Sequence, residues 1–344
     1  MTSVGVKKEK EPGRIAKYFA RNRATDNNYL LKRDVARVVT GVFTLVLLFG
    51  LCFLILQPLF HQFSNSIMSR DDLFDPTVMA IPRNATFENY RVAFNLMEYW
   101  SALFNTVWIT ALVSVLQLAA CTLVAYGFAR FDFPFKRFWF ACVILTVLVP
   151  PQIIRIPMFL NFTFFDPFGI FSLFGGPVTM TDSVTGYLIL SATAMGLRNG
   201  LYIFMLRQYF RNMPKELEES AWVDGCGKLR TFVQIMLPDA VPMLVSCFLF
   251  AFVWQWTDGF YTSMFLREQG VMAVRMDTLG ESFNFHYMQE VGAATGSHGV
   301  SPPVALLQAM ISTGVLIGIL PIIIIYLFAQ RFFVESIGQS GIKM

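Results

Sequence analysis

Apolar residues in this chain come in long, nearly uninterrupted runs rather than in alternating or one-sided patterns. Six runs, at about 38–60, 104–128, 138–157, 186–206, 241–266 and 306–329, approach the ~20 residues needed to cross a hydrocarbon core ~30 Å thick. The pattern predicts an all-α integral membrane protein with six transmembrane helices. Pro150 and Pro151 fall inside the third run, where two missing amide protons should kink or end the helix. The polar intervals set the organisation. A tail over 1–37 precedes the first span at 38–60, and a segment over 61–103 follows it. A core over 104–331 holds spans two to six and a polar loop at 207–239. A short tail over 332–344 closes the chain.

Charge orients these spans. Ten Lys and Arg lie between Lys7 and Arg37, Arg130, Lys136 and Arg137 join spans two and three, and Arg207, Arg211, Lys215, Lys228 and Arg230 join spans four and five. The alternate loops carry only Arg70, Arg83, Arg91, Arg155, Arg267 and Arg275. The positive-inside rule then puts both termini in the cytoplasm. The first apolar run begins only near Val38 and is long enough to span, so it reads as a retained anchor rather than a cleaved signal. Two readings of the tail stay open: Ile15, Tyr18 and Phe19 among basic residues suit a short helix on the inner membrane surface, and a solvated basic tail fits equally. The outer segments at 61–103 and 267–305 are long enough to form ordered caps.

Composition agrees with a lipid solvent. Charged residues make up 15% and apolar residues 55% of 344, against about 25% charged in soluble domains. The net charge of +4 gives no footprint for nucleic acid. Four of the five cysteines sit in apolar stretches without paired spacing, and the three histidines are scattered. Neither a disulfide frame nor a metal site is predicted.

The loop at 207–239 is the most informative polar stretch. Pro214 suits a first helical position, and Glu216, Glu218 and Glu219 follow where the helix dipole favours anions. Gly225 can take the left-handed conformation that ends a helix, and a second helix over about 228–237 leads through Pro238 into span five. Spacing puts Leu217, Ala221 and Asp224 on one face, where the small Ala221 would let a partner backbone approach. Trp222 and Val223 have no span to serve. An apolar, acidic helix in water points to docking on another protein, since the inner leaflet is itself negative. Gly225-Cys226-Gly227-Lys228-Leu229 is not a phosphate loop, so no ATP hydrolysis is expected from this chain alone.

Glu219-Ser220-Ala221, then three residues to Gly225, then nine to Ile235-x-Leu237-Pro238, resembles the EAA signature of ABC importer permeases. Ser220 stands where a second Ala is usual. Met213-Pro214, Glu216-Leu217 and Asp224-Gly225 are similar to the sugar-importing, maltose-type branch. Further matches are Asn89-Tyr90-Arg91, Asn105-Thr106, Ala125-Tyr126, Ala129-Arg130, Pro150-Pro151-Gln152, Pro157, Trp254-Gln255-Trp256-Thr257-Asp258, Phe333-Val334 and Gly341-Ile342-Lys343. The resemblance implies a type I ABC importer permease fold in a bacterial cytoplasmic (inner) membrane. It implies a second homologous permease, a cytoplasmic ABC ATPase dimer and an extracellular or periplasmic sugar-binding protein as partners, with the lipid bilayer around them. ATP and Mg would be bound by the ATPase, leaving this chain without a cofactor and without covalent chemistry. Glu218, Glu219, Ser220, Ala221, Asp224, Gly225, Leu237 and Pro238 would form the ATPase-coupling site, Glu219 pairing with a basic group of the ATPase. A secondary transporter, or a membrane scaffold without an ATPase, is the alternative; it would prefer paired intramembrane acids and inverted repeats, and neither is apparent.

Inside the membrane, Arg198 lies about 12 Å from the inner end of span four at 1.5 Å per residue. An Arg at that depth costs about 2.5–3.5 kcal/mol, so it should face a partner or a watery path. A structural ion pair or an irregular helix start accounts for it as well. Asn199 and Gly200 beside it suit a cavity or a close helix contact. Trp254, Gln255, Trp256 and Asp258 offer aromatic faces and hydrogen-bonding groups for a sugar; an interfacial aromatic belt is the other reading.

Overall fold

The computed structural model describes residues 29–78, 81–173, 175–295 and 300–341. The candidate surface helix at Ile15–Phe19 lies outside them, as does Ile342-Lys343, while residues 29–37 of the expected tail are already helical. Among the described residues no strand forms; two isolated antiparallel bridges, Met68 with Ala85 and Phe165 with Val178, are the only extended pairings.

The chain divides into two units, residues 1–61 and 62–344. The first is dominated by helix α1 (Tyr29–Ile67), whose Leu45, Phe49, Phe53 and Phe60 are exposed. Such a helix is stable only where lipid is the solvent, because in water its surface would be an aggregation site.

The second unit is built around α3. Ahead of it, α2 (Glu88–Leu96) is separated from α3 (Tyr99–Arg130) by Glu98 in a left-handed conformation at φ 47°. Asn89 fixes the preceding segment by donating to the Ser66 and Met68 carbonyls at 3.1 and 3.0 Å. Three apolar layers then stack along α3. Ala93, Met97 and Ala102 pack with Met272, Leu279 and Met310. Ile109 and Val113 pack with Phe162, Tyr187, Leu190 and Phe265. Cys121, Ala125 and Tyr126 pack with Tyr202, Leu206, Phe210 and Met236.

Among the described residues, three helices are long and apolar enough to span unbroken: residues Lys32–Ile67 of α1, all of α3, and Val304–Phe328. The other three expected spans are interrupted. The run at 138–157 is not one helix: α4 (Lys136–Leu148) stops, and the chain resumes over Pro151–Thr163 at a bend of 98°. Val149 and Pro150 are extended there, because a residue before proline is pushed out of the helical region and proline donates no amide. After α5 (Arg155–Thr163), the run at 186–206 also divides, into α6 (Val184–Ala192) and α7 (Asn199–Asn212). Ala194 and Arg198 between them have positive φ, 55° and 58°. Following α8 (Glu216–Val223), the run at 241–266 becomes α9 (Val241–Trp256) and a short α10 (Phe260–Phe265). The segment at 267–305 is largely α11 (Met272–Thr295), and α12 (Val304–Gly341) is the last described element. Gly200 lets α7 seat directly on α4: a Cβ there would lie 2.5 Å from Thr146 Oγ1 and 2.7 Å from the Val143 carbonyl.

Candidate functional site: an exposed loop and a polar cavity

Two regions gather the residues singled out from the sequence. The first is the loop after α7. Met213 leaves the helix in an extended conformation. Pro214 sits two positions before the first residue of α8 rather than at it, and the Lys215 carbonyl accepts from the Glu218 and Glu219 amides at 3.0 and 3.1 Å. Gly225 is left-handed, at φ 81°. The Cys226 amide donates to the Ala221 carbonyl at 2.9 Å and the Gly225 amide to the Trp222 carbonyl at 3.1 Å. That double bond is the Schellman ending, in which glycine at the reversal lets the last carbonyls find donors. Lys228–Thr231 then starts a second helix that passes through a π-helical stretch, Phe232–Met236, and Leu237–Asp239 before α9. The bend between Lys228–Asp239 and α9 is 74°.

Burial sorts the coupling candidates into two sets. Glu219, Ser220, Asp224, Gly225 and Pro238 are exposed, along with Leu217, Trp222 and Val223. Glu218 and Ala221 are 5% and 3% exposed, and Leu237 is half-buried against the core. Ala221 therefore serves packing within its own chain, not the approach of a partner backbone. The Glu218 carboxylate accepts from the Tyr126 hydroxyl at 2.7 Å and lies 3.4 Å from Arg130 Nε. Arg130 Nη2 donates to the Met213 carbonyl at 2.9 Å. Of the three acids at the start of α8, only Glu218 points inward.

The second region is a cavity of about 460 Å³ lined by Thr146, Pro150, Pro151, Gln152, Arg198, Trp254, Thr257 and Asp258, among others. The breaks in the helices create it: Pro150 and Pro151 lie at the end of α4, Arg198 caps α7, and Thr257 and Asp258 follow α9. The Arg198 guanidinium stands 4.1 Å from the centre of the Trp254 ring, a cation–π contact. Asp258 accepts backbone N–H groups of Phe260, Tyr261 and Thr262, the Tyr261 bond being 2.8 Å. It starts α10 as a cap, so its charge is met by main-chain dipoles.

Asn199, Gln255 and Trp256 do not line this cavity. All three are buried. Gln117 on α3 donates to Asn199 Oδ1 and, at 2.5 Å, to the Leu197 carbonyl. Gln255 donates to Gln117 at 3.0 Å and accepts from Tyr187, and Trp256 donates to the Gly318 carbonyl at 3.2 Å. This buried polar node ties α3, α6, α7 and α9. Gln117 was missed in the sequence, although a glutamine in the middle of an apolar span is itself a signal, because an amide in hydrocarbon must find partners.

The chain's relatives fit this architecture. Residues 118–334 match the family described as binding-protein-dependent transport system inner membrane component. An arabinooligosaccharides transport system permease protein of Halalkalibacterium halodurans is 23% identical over 91% of this chain and 100% of its own length. A trehalose transport system permease protein of Mycobacterium tuberculosis is 26% identical over 84% of this chain and 92% of its own. In structure, a chain of a bacterial ABC transporter involved in the import of the acidic polysaccharide alginate superposes with a TM-score of 0.65. It shares 22% identity, and the match covers 87% of this chain and 98% of that one. The family match spans most of the chain, takes in both the exposed loop and the cavity, and excludes an enzymatic role: this protein belongs to the binding-protein-dependent transport system inner membrane components, the membrane permeases of ABC importers.

Proposed function

We propose that this permease carries a sugar or oligosaccharide and that its exposed loop couples transport to ATP hydrolysis by a separate ATPase. The observation that carries the reading is α8 itself. It is a short helix ended by a left-handed glycine, with acidic Glu216 and Glu219 and apolar Leu217, Trp222 and Val223 all exposed. A surface of that kind is costly in water and disfavoured at an anionic leaflet, so a cytoplasmic protein cleft is the fitting partner. Glu219, Ser220, Asp224, Gly225 and Pro238 make the docking face, and Glu218, Ala221 and Leu237 hold it from within. An ABC ATPase dimer supplies ATP and Mg. A second homologous permease completes the pore, and a sugar-binding protein outside the membrane delivers the cargo. Both termini are cytoplasmic in this arrangement.

The sugar class rests on the names of relatives that transport arabinooligosaccharides and trehalose, and on the cavity's chemistry. Trp254 offers an aromatic surface, Arg198 and Gln152 offer hydrogen-bond donors, and the Thr146 and Thr257 hydroxyls, which donate to the Val143 and Val253 carbonyls, offer acceptors. Sugars present both a C–H face and hydroxyls. Arg198, Trp254 and Asp258 are the path residues, while Asn199, Gln255 and Trp256 support them from the buried node. The test is co-purification through a tag on this chain. Glu219→Lys reverses an exposed charge whose side chain bonds no other group among the described residues, so the fold should survive while the ATPase is lost. An ATPase retained at wild-type yield would overturn the assignment.

A further inference from the structure

The buried side of α8 carries one charge, and that charge is tied to elements on either side of it. We propose that Arg130, Glu218 and Tyr126 form a fixed joint that makes α8 and the end of α3 move as one body. In this reading, which rests on α8 being the ATPase seat, Arg130 and Tyr126 are positioning residues for transport although neither meets a partner.

Each oxygen of the Glu218 carboxylate has its own partner: Oε1 takes the Tyr126 hydroxyl at 2.7 Å, and Oε2 faces Arg130 Nε at 3.4 Å. Both charged side chains are 6% exposed. Arg130 then reaches the Met213 carbonyl at 2.9 Å, a terminal carbonyl that α7 itself leaves without a helical donor. One guanidinium therefore joins the last residue of α3, the end of α7 and the middle of α8. Aromatic rings close round the joint. Tyr126 lies 4.6 Å from Phe232, 5.5 Å from Phe210 and 5.6 Å from Phe131, centre to centre. A buried ion pair adds little net stability compared with apolar residues of the same shape. Its distinctive property is direction: the contacts at the two carboxylate oxygens and at the Met213 carbonyl together fix how α8 sits against α3 and α7.

The joint also has somewhere to send a displacement. Thirteen residues before Arg130 on the same helix, Gln117 holds the Leu197 carbonyl and the Asn199 side chain, on either side of Arg198 at the cavity. At 1.5 Å per residue that is about 20 Å of unbroken helix. Movement of α8 is thus delivered by α3 to the break between α6 and α7 that places Arg198 over Trp254.

Spin-label distances test this in the assembled importer, purified through a tag on this chain from cells that produce its partners. Leu123→Cys on α3 and Lys215→Cys, at the residue that leads into α8 and outside the docking face, are both exposed sites. Cys52, Cys142 and Cys226 are changed to Ser, while the buried Cys121 and Cys247 stay. The joint predicts a single narrow distance that is the same with and without ATP. It predicts loss of that narrow distance in Arg130→Met and Glu218→Gln, with the ATPase still co-purifying. A narrow wild-type distance retained in both variants, or a wild-type distance that shifts with ATP, would overturn it. Should Arg130→Met fail to reach the membrane, Glu218→Gln and Tyr126→Phe, which keep the side-chain shapes, decide the matter. Glu219→Lys separates the two readings: it should release the ATPase and leave the distance narrow. If it leaves the ATPase bound, the docking assignment falls and the joint is judged by the distances alone.

Discussion

Gly225 and Gly227 form a natural matched pair. Both flank the reversal after α8, and an added Cβ at either would meet nothing within 4 Å. They differ in backbone: Gly225 is at φ 81°, and Gly227 is an extended cap at φ −73°, ψ 161°. Substituting alanine therefore isolates conformation from crowding. An L-residue held in the left-handed region costs about 1–2 kcal/mol, whereas alanine in an extended conformation costs nothing comparable. The bonds at stake are the two that end α8, from Cys226 to Ala221 and from Gly225 to Trp222. A loss of about 1–2 kcal/mol raises local opening roughly 5- to 30-fold, since 1.4 kcal/mol is a factor of ten. Hydrogen exchange followed by peptide mass spectrometry over residues 221–228 reads this directly. Gly225→Ala should speed exchange there by that factor, Gly227→Ala should leave it unchanged, and Gly225→Asn should fall between because asparagine tolerates the left-handed region. Equal effects from the two alanine variants would show that the reversal is not set by the Gly225 backbone.

Two further outcomes are expected. Gly200→Ala drives a methyl group into Thr146 Oγ1 and the Val143 carbonyl. Overpacking of this kind costs about 1–3 kcal/mol, read as a lower midpoint of thermal unfolding in detergent; an unchanged midpoint would mean that α4 and α7 are not in close contact. In the segment between α1 and α2, the Thr77 hydroxyl and amide bond the Asp75 carboxylate at 2.7 and 2.9 Å, with Arg83 at 3.0 Å. These contacts, the Thr77 hydroxyl first, hold the Asp75 carboxyl below its usual range. A depressed carboxyl stabilises the fold above its unfolded value and loses that contribution as pH falls through the folded one. The ¹³C carboxyl titration of Asp75 should therefore shift upward in Thr77→Ala, and an unmoved midpoint would remove Thr77 as the cause.

The features legible in the sequence are those set by local rules. Apolar runs of membrane length, Lys and Arg on alternate loops, the double proline that breaks the third run and the glycine that ends α8 each follow from one short stretch and its solvent. The break before Arg198 was readable only as one of several options, because a charged residue in an apolar run signals an exception without saying which. Tertiary structure decided the rest. Glu218 and Glu219 are chemically alike and adjacent, yet a helix turns about 100° per residue. One side chain is buried against Tyr126 and Arg130, and the other faces solvent. Likewise Trp254 and Asp258 reach the cavity while Gln255 and Trp256, between them, turn into the core. Residue type fixed what each group is able to do. Which neighbour it meets depended on how α3, α7 and α9 pack, and contacts between distant stretches leave no mark on either stretch alone.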